Sequence, residues 1–193
     1  EAEDAEARLD MMIANAKRLL GQEYAYIHGF ALTEQLGDCR NDLAEFGVTF
    51  DSWFSEGSLY DSGKVEQAVA RLESRGHVYV QDGARWFRSS AFGDEKDRVV
   101  QRENGQYTYF ASDIAYHRDK LQRGYELLID VWGADHHGYI PRMQAVMQAY
   151  GHPKERLPVV LVPLVKLLPA GEEVKMSKRE GGVNSMGEEI EEV

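Results

Sequence analysis

A chain of 193 residues, 43% hydrophobic and 28% charged, has the ordinary globular mixture and room for one sizeable core or two small ones, which excludes disordered, collagenous and coiled-coil classes. Twenty-two Lys and Arg against 33 Asp and Glu give a formal net charge of -11, so any contact with nucleic acid or an anionic membrane must be a local basic patch. The single Cys39 closes no intramolecular disulfide and builds no thiolate zinc site, which fits a reducing, cytoplasmic setting.

From Glu6 to Leu20 the apolar positions Leu9, Met12, Ile13, Ala16, Leu19 and Leu20 recur at three- and four-residue steps, predicting an amphipathic helix stopped by Gly21. The acidic start at Glu1 is unlike a signal peptide, no apolar run reaches the ~20 residues of a membrane span, and a start inside a helix is expected of a piece of a longer chain. Tyr24 to His28 is ambiguous. A second helix is predicted from Leu32 to Phe46, with Gly47 as its left-handed stop, followed by a strand around Val48, Phe50, Trp53 and Phe54. Ser62 is the expected N-cap of a third helix carrying Val65, Ala68, Val69 and Leu72.

His77 to Gln81, Asp82-Gly83 and Ala84 to Arg88 read as a two-residue hairpin. A second hairpin is expected at Asn104-Gly105, with arms Arg98 to Arg102 and Gln106 to Phe110, before a helix capped by Ser112 or Asp113 and ended at Gly124. The apolar run Leu127 to Trp132, the helical spacing of Tyr139 to Tyr150 and the apolar run Pro158 to Leu168 then give strand, helix and strand, the pattern of a parallel βαβ unit. Ala170 to Gly182 reads as a loop, and Glu188 to Val193 as the start of another helix.

Three groups of residues can carry chemistry. Lys175-Met176-Ser177-Lys178-Arg179 puts three cations and a hydroxyl in one loop, where lysines can follow charge developing on a polyphosphate; a solvated charged turn is the plainer reading. Trp132-Gly133-Ala134-Asp135-His136-His137-Gly138 starts at the carboxyl end of a predicted parallel strand, where ligands bind. There Gly133 admits a nucleotide to the backbone, while a simple helix start and a metal-ligand triplet at Asp135-His136-His137 both remain open. Tyr109 and Asp113 stand close at a strand-to-helix junction, so an aromatic face and a carboxylate can meet one ligand, unless Tyr109 is core and Asp113 only a cap.

In combination these groups resemble a known family. Lys175 to Lys178 resembles the Lys-Met-Ser-Lys signature of class I aminoacyl-tRNA synthetases, and the Gly-x-Asp-His segment from Gly133 to His136 resembles their nucleotide-binding strand end. Tyr109 to His117, Phe92 to Val99 and Glu45 to Val48 resemble bacterial arginyl-tRNA synthetases, from about Ala31 through Gly181. The resemblance implies an α/β fold: the second half of a Rossmann-type parallel-sheet catalytic domain (107–193), a small hairpin-containing α+β connective insertion (56–106) and N-terminal helices leading into the fold (1–55).

It also implies roles. Glu56, Tyr109 and Asp113 contact substrate arginine, whose guanidinium fork suits carboxylates and an aromatic face. Gly133, Asp135, His136, Met176 and Ser177 bind ATP, carried with Mg2+, and Lys175 and Lys178 are catalytic on the phosphates; Asp135 has contact with arginine as its alternative. The implied reaction is ligation of arginine to tRNA(Arg) through arginyl-adenylate, with arginine, ATP and tRNA(Arg) as partners, no membrane, and Arg118, Lys120 and Arg123 with His117 as a patch for the tRNA acceptor end.

The family's His-x-Gly-His segment has no match here, since Ile27-His28-Gly29-Phe30 lacks the second histidine, and Gly182 to Met186 departs from the family's continuation. An internal fragment is therefore expected, inactive alone and either self-associating or binding a supplied N-terminal half through apolar surface around Leu127 to Trp132 and Pro158 to Leu168, from a monomeric parent. Two alternatives stand beside this reading: a metal-dependent phosphoesterase using Asp135-His136-His137, and a non-catalytic binding module.

Overall fold

The computed structural model describes residues 2–163, so the Lys175 to Lys178 loop and the helix expected at Glu188 lie outside the described residues. The chain divides into two compact units, one holding the N-terminal helices and the other beginning at Phe54. In the first, α1 (Ala2–Leu20) ends at Gly21, whose φ of 54° breaks the helix, and α2 (Gln22–Glu45) follows at once. Tyr24 to His28 is thus helical, and the second helix starts ten residues before the predicted Leu32, because no proline or capping side chain interrupts the run. None of the α2 residues is buried. The strand expected around Val48 is absent: Phe50 and Trp53 pack edge-on with centroids 5.5 Å apart, and the Arg40 guanidinium lies 4.8 Å over the Trp53 ring. These side chains pack on one another, and no neighbouring strand offers them a ladder.

The second unit opens with a short helix that the sequence hid, α3 (Gly57–Asp61), and α4 (Lys64–Glu73). Ser62 does not cap α4. Its hydroxyl donates back to the Ser58 carbonyl at 2.6 Å, and Gly63, at φ 68°, turns the chain into α4 instead. Val65, Ala68, Val69 and Leu72 are buried as their spacing requires. The hairpin of β1 (Val78–Gln81) and β2 (Ala84–Phe87) forms with φ of 52° at Asp82 and 76° at Gly83, the two positive values that a primed hairpin turn needs.

β3 (Arg98–Gln101) pairs with β2, and the arm predicted after Asn104-Gly105 turns back beside it without extending into a strand, Arg102 N–H donating to the Gln106 carbonyl at 2.8 Å. Ser89 Oγ donates to the Lys96 carbonyl at 2.7 Å, and Arg98 grips Asp94 through Nε at 2.7 Å and a terminal nitrogen at 2.8 Å. That folded connection delivers β3 to the open edge of β2, and on its other edge β3 forms one bridge, Gln101 to Tyr107. Helix α5 (Tyr109–Gln122) therefore begins earlier than expected. Ser112 and Asp113 lie inside its first turns, and Thr108, whose hydroxyl donates to the Val99 carbonyl at 2.9 Å, precedes it.

β4 (Asp130–Gly133) and β5 (Val159–Val162) pair in parallel, in register Asp130 to Val159 through Gly133 to Val162, with α6 (Ile140–Ala149) between them in sequence. This is the βαβ unit read from the sequence. One core takes side chains from every layer of this unit, among them Leu72, Phe87, Val100, Ile114, Met143 and Leu157, each contributing about 2 kcal/mol of burial. The alternating residues Ile129, Val131, Val160 and Val162 remain exposed. No helix among the described residues is long and apolar enough to cross a membrane.

A buried ionic group ties α5 to β4. His117 Nε2 lies 2.7 Å from Asp130 Oδ2 and its Nδ1 lies 2.8 Å from the Asp113 carbonyl, while Lys120 Nζ donates to Asp130 Oδ1 at 2.8 Å. His117 thus bridges the Asp130 carboxylate and the Asp113 carbonyl through its two ring nitrogens. Lys120 and His117, with Arg123 held by Asp119 at 2.6 Å, are thus committed to carboxylates of this unit, and the basic patch expected on α5 is largely consumed.

Burial pushes the Asp130 carboxyl up, but His117 and Lys120 outweigh it and hold the group below the usual carboxylate range. A depressed carboxylate stabilises the fold fully above its unfolded pKa of about 3.9 and loses that contribution as pH falls through the folded value. Asp130→Asn should cost about 3–5 kcal/mol near neutrality, since Lys120 and His117 lose their buried carboxylate partner. It should also flatten the acid limb of denaturant midpoint against pH, and an unaltered acid limb would refute this account.

Candidate active site

A cleft of about 590 Å3 opens at the carboxyl end of β4, walled by Tyr109, Asp113, Tyr116, His117 and Lys120 of α5, Asp130 to Gly133 of β4, and His136, Tyr139 and Met143. A smaller cavity of about 210 Å3, lined by Phe54, Glu56, Leu59, Ser112, Asp113 and Tyr116, adjoins it. Asp113 and Tyr116 line both. The position follows from topology: the ends of parallel strands leave a crevice where the chain turns into the next helix.

Asp113 stands at the junction because α5 starts at Tyr109, which turns the carboxylate inward one helical turn later. Tyr139 donates its hydroxyl to Asp113 Oδ2 at 2.5 Å. Burial pushes the Asp113 carboxyl above its usual range, with the Glu56 and Asp130 carboxylates adding to the rise and Tyr139 and His117 opposing it. The Tyr139 hydroxyl is itself pushed up by burial and by its bond to Asp113, so it stays a donor. Glu56, at the head of α3, meets Ser112 Oγ at 2.5 Å. Tyr109 is 84% exposed and offers its ring to the cleft.

Gly133 ends β4, and a Cβ there would stand 2.6 Å from Asp135 Oδ1; the missing side chain is what lets the Asp135 carboxylate fold over the strand end. Asp135 and His136 lie in the 3-10 turn Ala134–Tyr139, both exposed, with His136 Nε2 3.8 Å from Asp135 Oδ2. Among the described residues no group of three His, Cys, Asp or Glu side chains is arranged to hold a metal ion. The structure therefore brings Tyr109, Asp113, Gly133 and His136 to one cleft and Glu56 to the cavity beside it, with Asp135 next to Gly133. Lys175, Met176, Ser177 and Lys178 lie outside the described residues.

Sequence reasoning missed Tyr139 and the His117–Asp130 pair. The pair left a trace, since a lone aspartate in the apolar run Leu127 to Trp132 requires a buried partner. Tyr139 left none, because its reach to Asp113, 26 residues away, depends on how α6 packs on α5.

Comparison with known proteins bears on the family and the fold. The family model described as tRNA synthetases class I (R), catalytic domain, matches residues 35–192. An arginine–tRNA ligase of Aromatoleum aromaticum is 66% identical over 176 residues, covering 91% of this chain and 30% of that protein. That of Nitrosospira multiformis is 63% identical over 190 residues, covering 98% and 33%. A solved structure from Campylobacter jejuni assigned as an arginyl-tRNA synthetase superposes with a TM-score of 0.79 at 38% identity, covering 93% of this chain and 40% of that one. Thermus thermophilus arginyl-tRNA synthetase, at 22% identity and a TM-score of 0.57 over 67% of this chain and 27% of that one, shares the fold. The chain spans about 30% of the length of the curated relatives it matches. With the cleft at the end of β4 and a family match over most of its length, the chain belongs to the arginyl class I tRNA synthetase catalytic-domain family.

Proposed function

We propose that this chain is part of an arginine–tRNA ligase, supplying the amino-acid pocket and one side of the nucleotide site, with 107–193 as the second Rossmann half, 56–106 as the connective insertion and 1–55 leading into the fold. The observation that carries the reading is the state of Asp113. Asp94, Asp119 and Asp130 are each paired with a cation. Asp113 is met by a phenol instead, which holds the carboxylate without cancelling its charge. A half-buried carboxylate left with its charge is complementary to a cationic ligand, and Glu56 in the adjoining cavity supplies a second acceptor for a planar guanidinium. The exposed Tyr109 ring is placed to cover such a group.

Gly133, Asp135 and His136 fit a nucleotide at the strand end: a backbone free of Cβ, with hydrogen-bonding side chains exposed around it. Met176 and Ser177 of the lysine loop are assigned to the same ATP, and Lys175 and Lys178 to its phosphates, with Mg2+ accompanying them. Bound ATP supplies the phosphorus that the arginine carboxylate attacks, giving arginyl-adenylate and pyrophosphate, and the arginyl group then passes to the terminal ribose of tRNA(Arg). For this chemistry the protein needs no nucleophile of its own. Asp113 and Glu56 fix the guanidinium, so the carboxylate end of arginine is held toward the strand end, and the lysines meet charge as it develops on the leaving pyrophosphate. A cytoplasmic, monomeric parent is part of the same proposal.

In the full-length enzyme containing this segment, Asp113→Asn should lower arginine-dependent pyrophosphate exchange about a hundredfold, because a charge-assisted pair in a partly dry pocket is broken. Lysine should remain a poor substitute, since its point charge cannot engage both carboxylates as a fork does. Exchange at the wild-type rate in Asp113→Asn would reject the pocket. Lys178→Ala should depress kcat far more than it raises the KM for ATP, as expected of a group used in the transition state; equal losses would mark the lysine as a ground-state anchor.

A further inference from the structure

Tyr139 belongs to the 3-10 turn Ala134–Tyr139, which also carries Asp135 and His136, and it is the last residue before α6. Its ring is fixed from two sides. The Arg142 guanidinium lies 4.4 Å from the ring centroid, and Trp132 meets it edge-on with centroids 5.9 Å apart. Arg142 Nε is buried with no hydrogen-bond partner, and the guanidinium packs between the Tyr139 ring and the Phe110 ring, whose centroid lies 5.7 Å away. A ring held this firmly aims its hydroxyl in one direction, and that direction is Asp113 Oδ2, 2.5 Å away. No other side chain among the described residues donates to the Asp113 carboxylate, so Oδ1 is left for a ligand.

We propose that Tyr139 is a positioning residue for the amino-acid site: its hydroxyl fixes the Asp113 carboxylate in one orientation, with Oδ1 presented to the guanidinium. This inference rests on the assignment of Asp113 to arginine binding and adds the group that makes that carboxylate competent. A phenol suits the task. An ammonium or guanidinium in its place would neutralise Asp113, as Lys120 and His117 do for Asp130, and the pocket would lose its attraction for a cation. An apolar residue would leave the carboxylate to burial, and to the like charges of Glu56 at the head of α3 and Asp130 on β4, which all favour its protonation, against His117 on α5 alone.

The sign of the pH effect follows. Asp113 binds a guanidinium as the carboxylate and loses it on taking up a proton, so arginine use falls on the acid side as Asp113 is protonated. The hydrogen bond from Tyr139 favours the ionised form. Removing it raises the pH at which the proton is taken up, and the acid limb moves to higher pH.

The test measures arginine-dependent pyrophosphate exchange as a function of pH in the full-length enzyme containing this segment, for wild type, Tyr139→Phe and Asp113→Asn, with the melting temperature of each. In Tyr139→Phe the KM for arginine should rise about tenfold, the worth of one hydrogen bond to a charged group. Its acid limb of kcat/KM for arginine should move to higher pH, with the KM for ATP and the melting temperature unchanged. If Tyr139→Phe keeps the wild-type KM and acid limb while Asp113→Asn has lost exchange, the role of Tyr139 is overturned and the pocket stands. If Asp113→Asn is fully active, the pocket itself is rejected and the inference with it. A matching rise in the KM for ATP together with a lowered melting temperature would show that Tyr139 serves packing, and would overturn its positioning role.

Discussion

The cleft depends on a buried carboxylate that cannot be left alone. Asp130 sits at the first position of β4 inside an apolar layer, and an ionised carboxylate there is tolerable only with good partners. His117 and Lys120, one turn apart on α5, supply them. Because the same imidazole also meets the Asp113 carbonyl, the strand end, the helix and the backbone beneath the pocket carboxylate are fixed by one group. A shift of α5 along β4 would break several charged contacts together, so the two walls of the cleft keep their spacing. Buried ion pairs of this kind are weak as sources of net stability and strong as constraints on geometry.

Charge is distributed along α5 by the same logic. Asp119 is closed off by Lys64 and Arg123, and Asp130 by His117 and Lys120. Asp113, earlier in the helix, has only the Tyr139 phenol among the described side chains. Neutralised carboxylates build the frame, and the one facing both cavities keeps its charge. An acidic protein with a net charge of -11 thereby retains a local attraction for a cation at Asp113 and Glu56, while Asp119 and Asp130 are spent on internal cations.

The two-stranded parallel sheet shows the opposite side of the same economy of contacts. Leu128, Asp130 and Trp132 turn toward the core, and Ile129, Val131, Val160 and Val162 turn outward and are exposed. Parallel sheets are ordinarily covered on both faces, and this chain spans about 30% of the length of its curated relatives. The apolar surface anticipated around Leu127 to Trp132 and Pro158 to Leu168 is present at these four residues and at Leu127.

The sequence by itself determined the elements whose signals are local. Asp82-Gly83 forces positive φ at two adjacent positions and hence a hairpin; the 3.6-residue spacing of Met143, Val146 and Met147 makes a helix between two apolar strands; and the motifs around Tyr109, Gly133 and Lys175 carried the family. Where an element's fate hung on a distant partner, the sequence was mute or misleading. Residues 106–110 look like the second arm of a hairpin, but that arm meets β3 only as far as the Gln101–Tyr107 bridge before Tyr109 and Phe110 enter α5. Ser62 looks like a cap, but its hydroxyl is satisfied one turn back in α3. His117, Lys120 and Arg123 look like part of a surface patch, and the tertiary structure turns them onto Asp130 and Asp119. Turn geometry and periodicity are written in neighbouring residues, whereas the pairing of a buried charge, and the aim of Tyr139 at Asp113, exist only once separate elements pack and remove the water that would otherwise serve as partner.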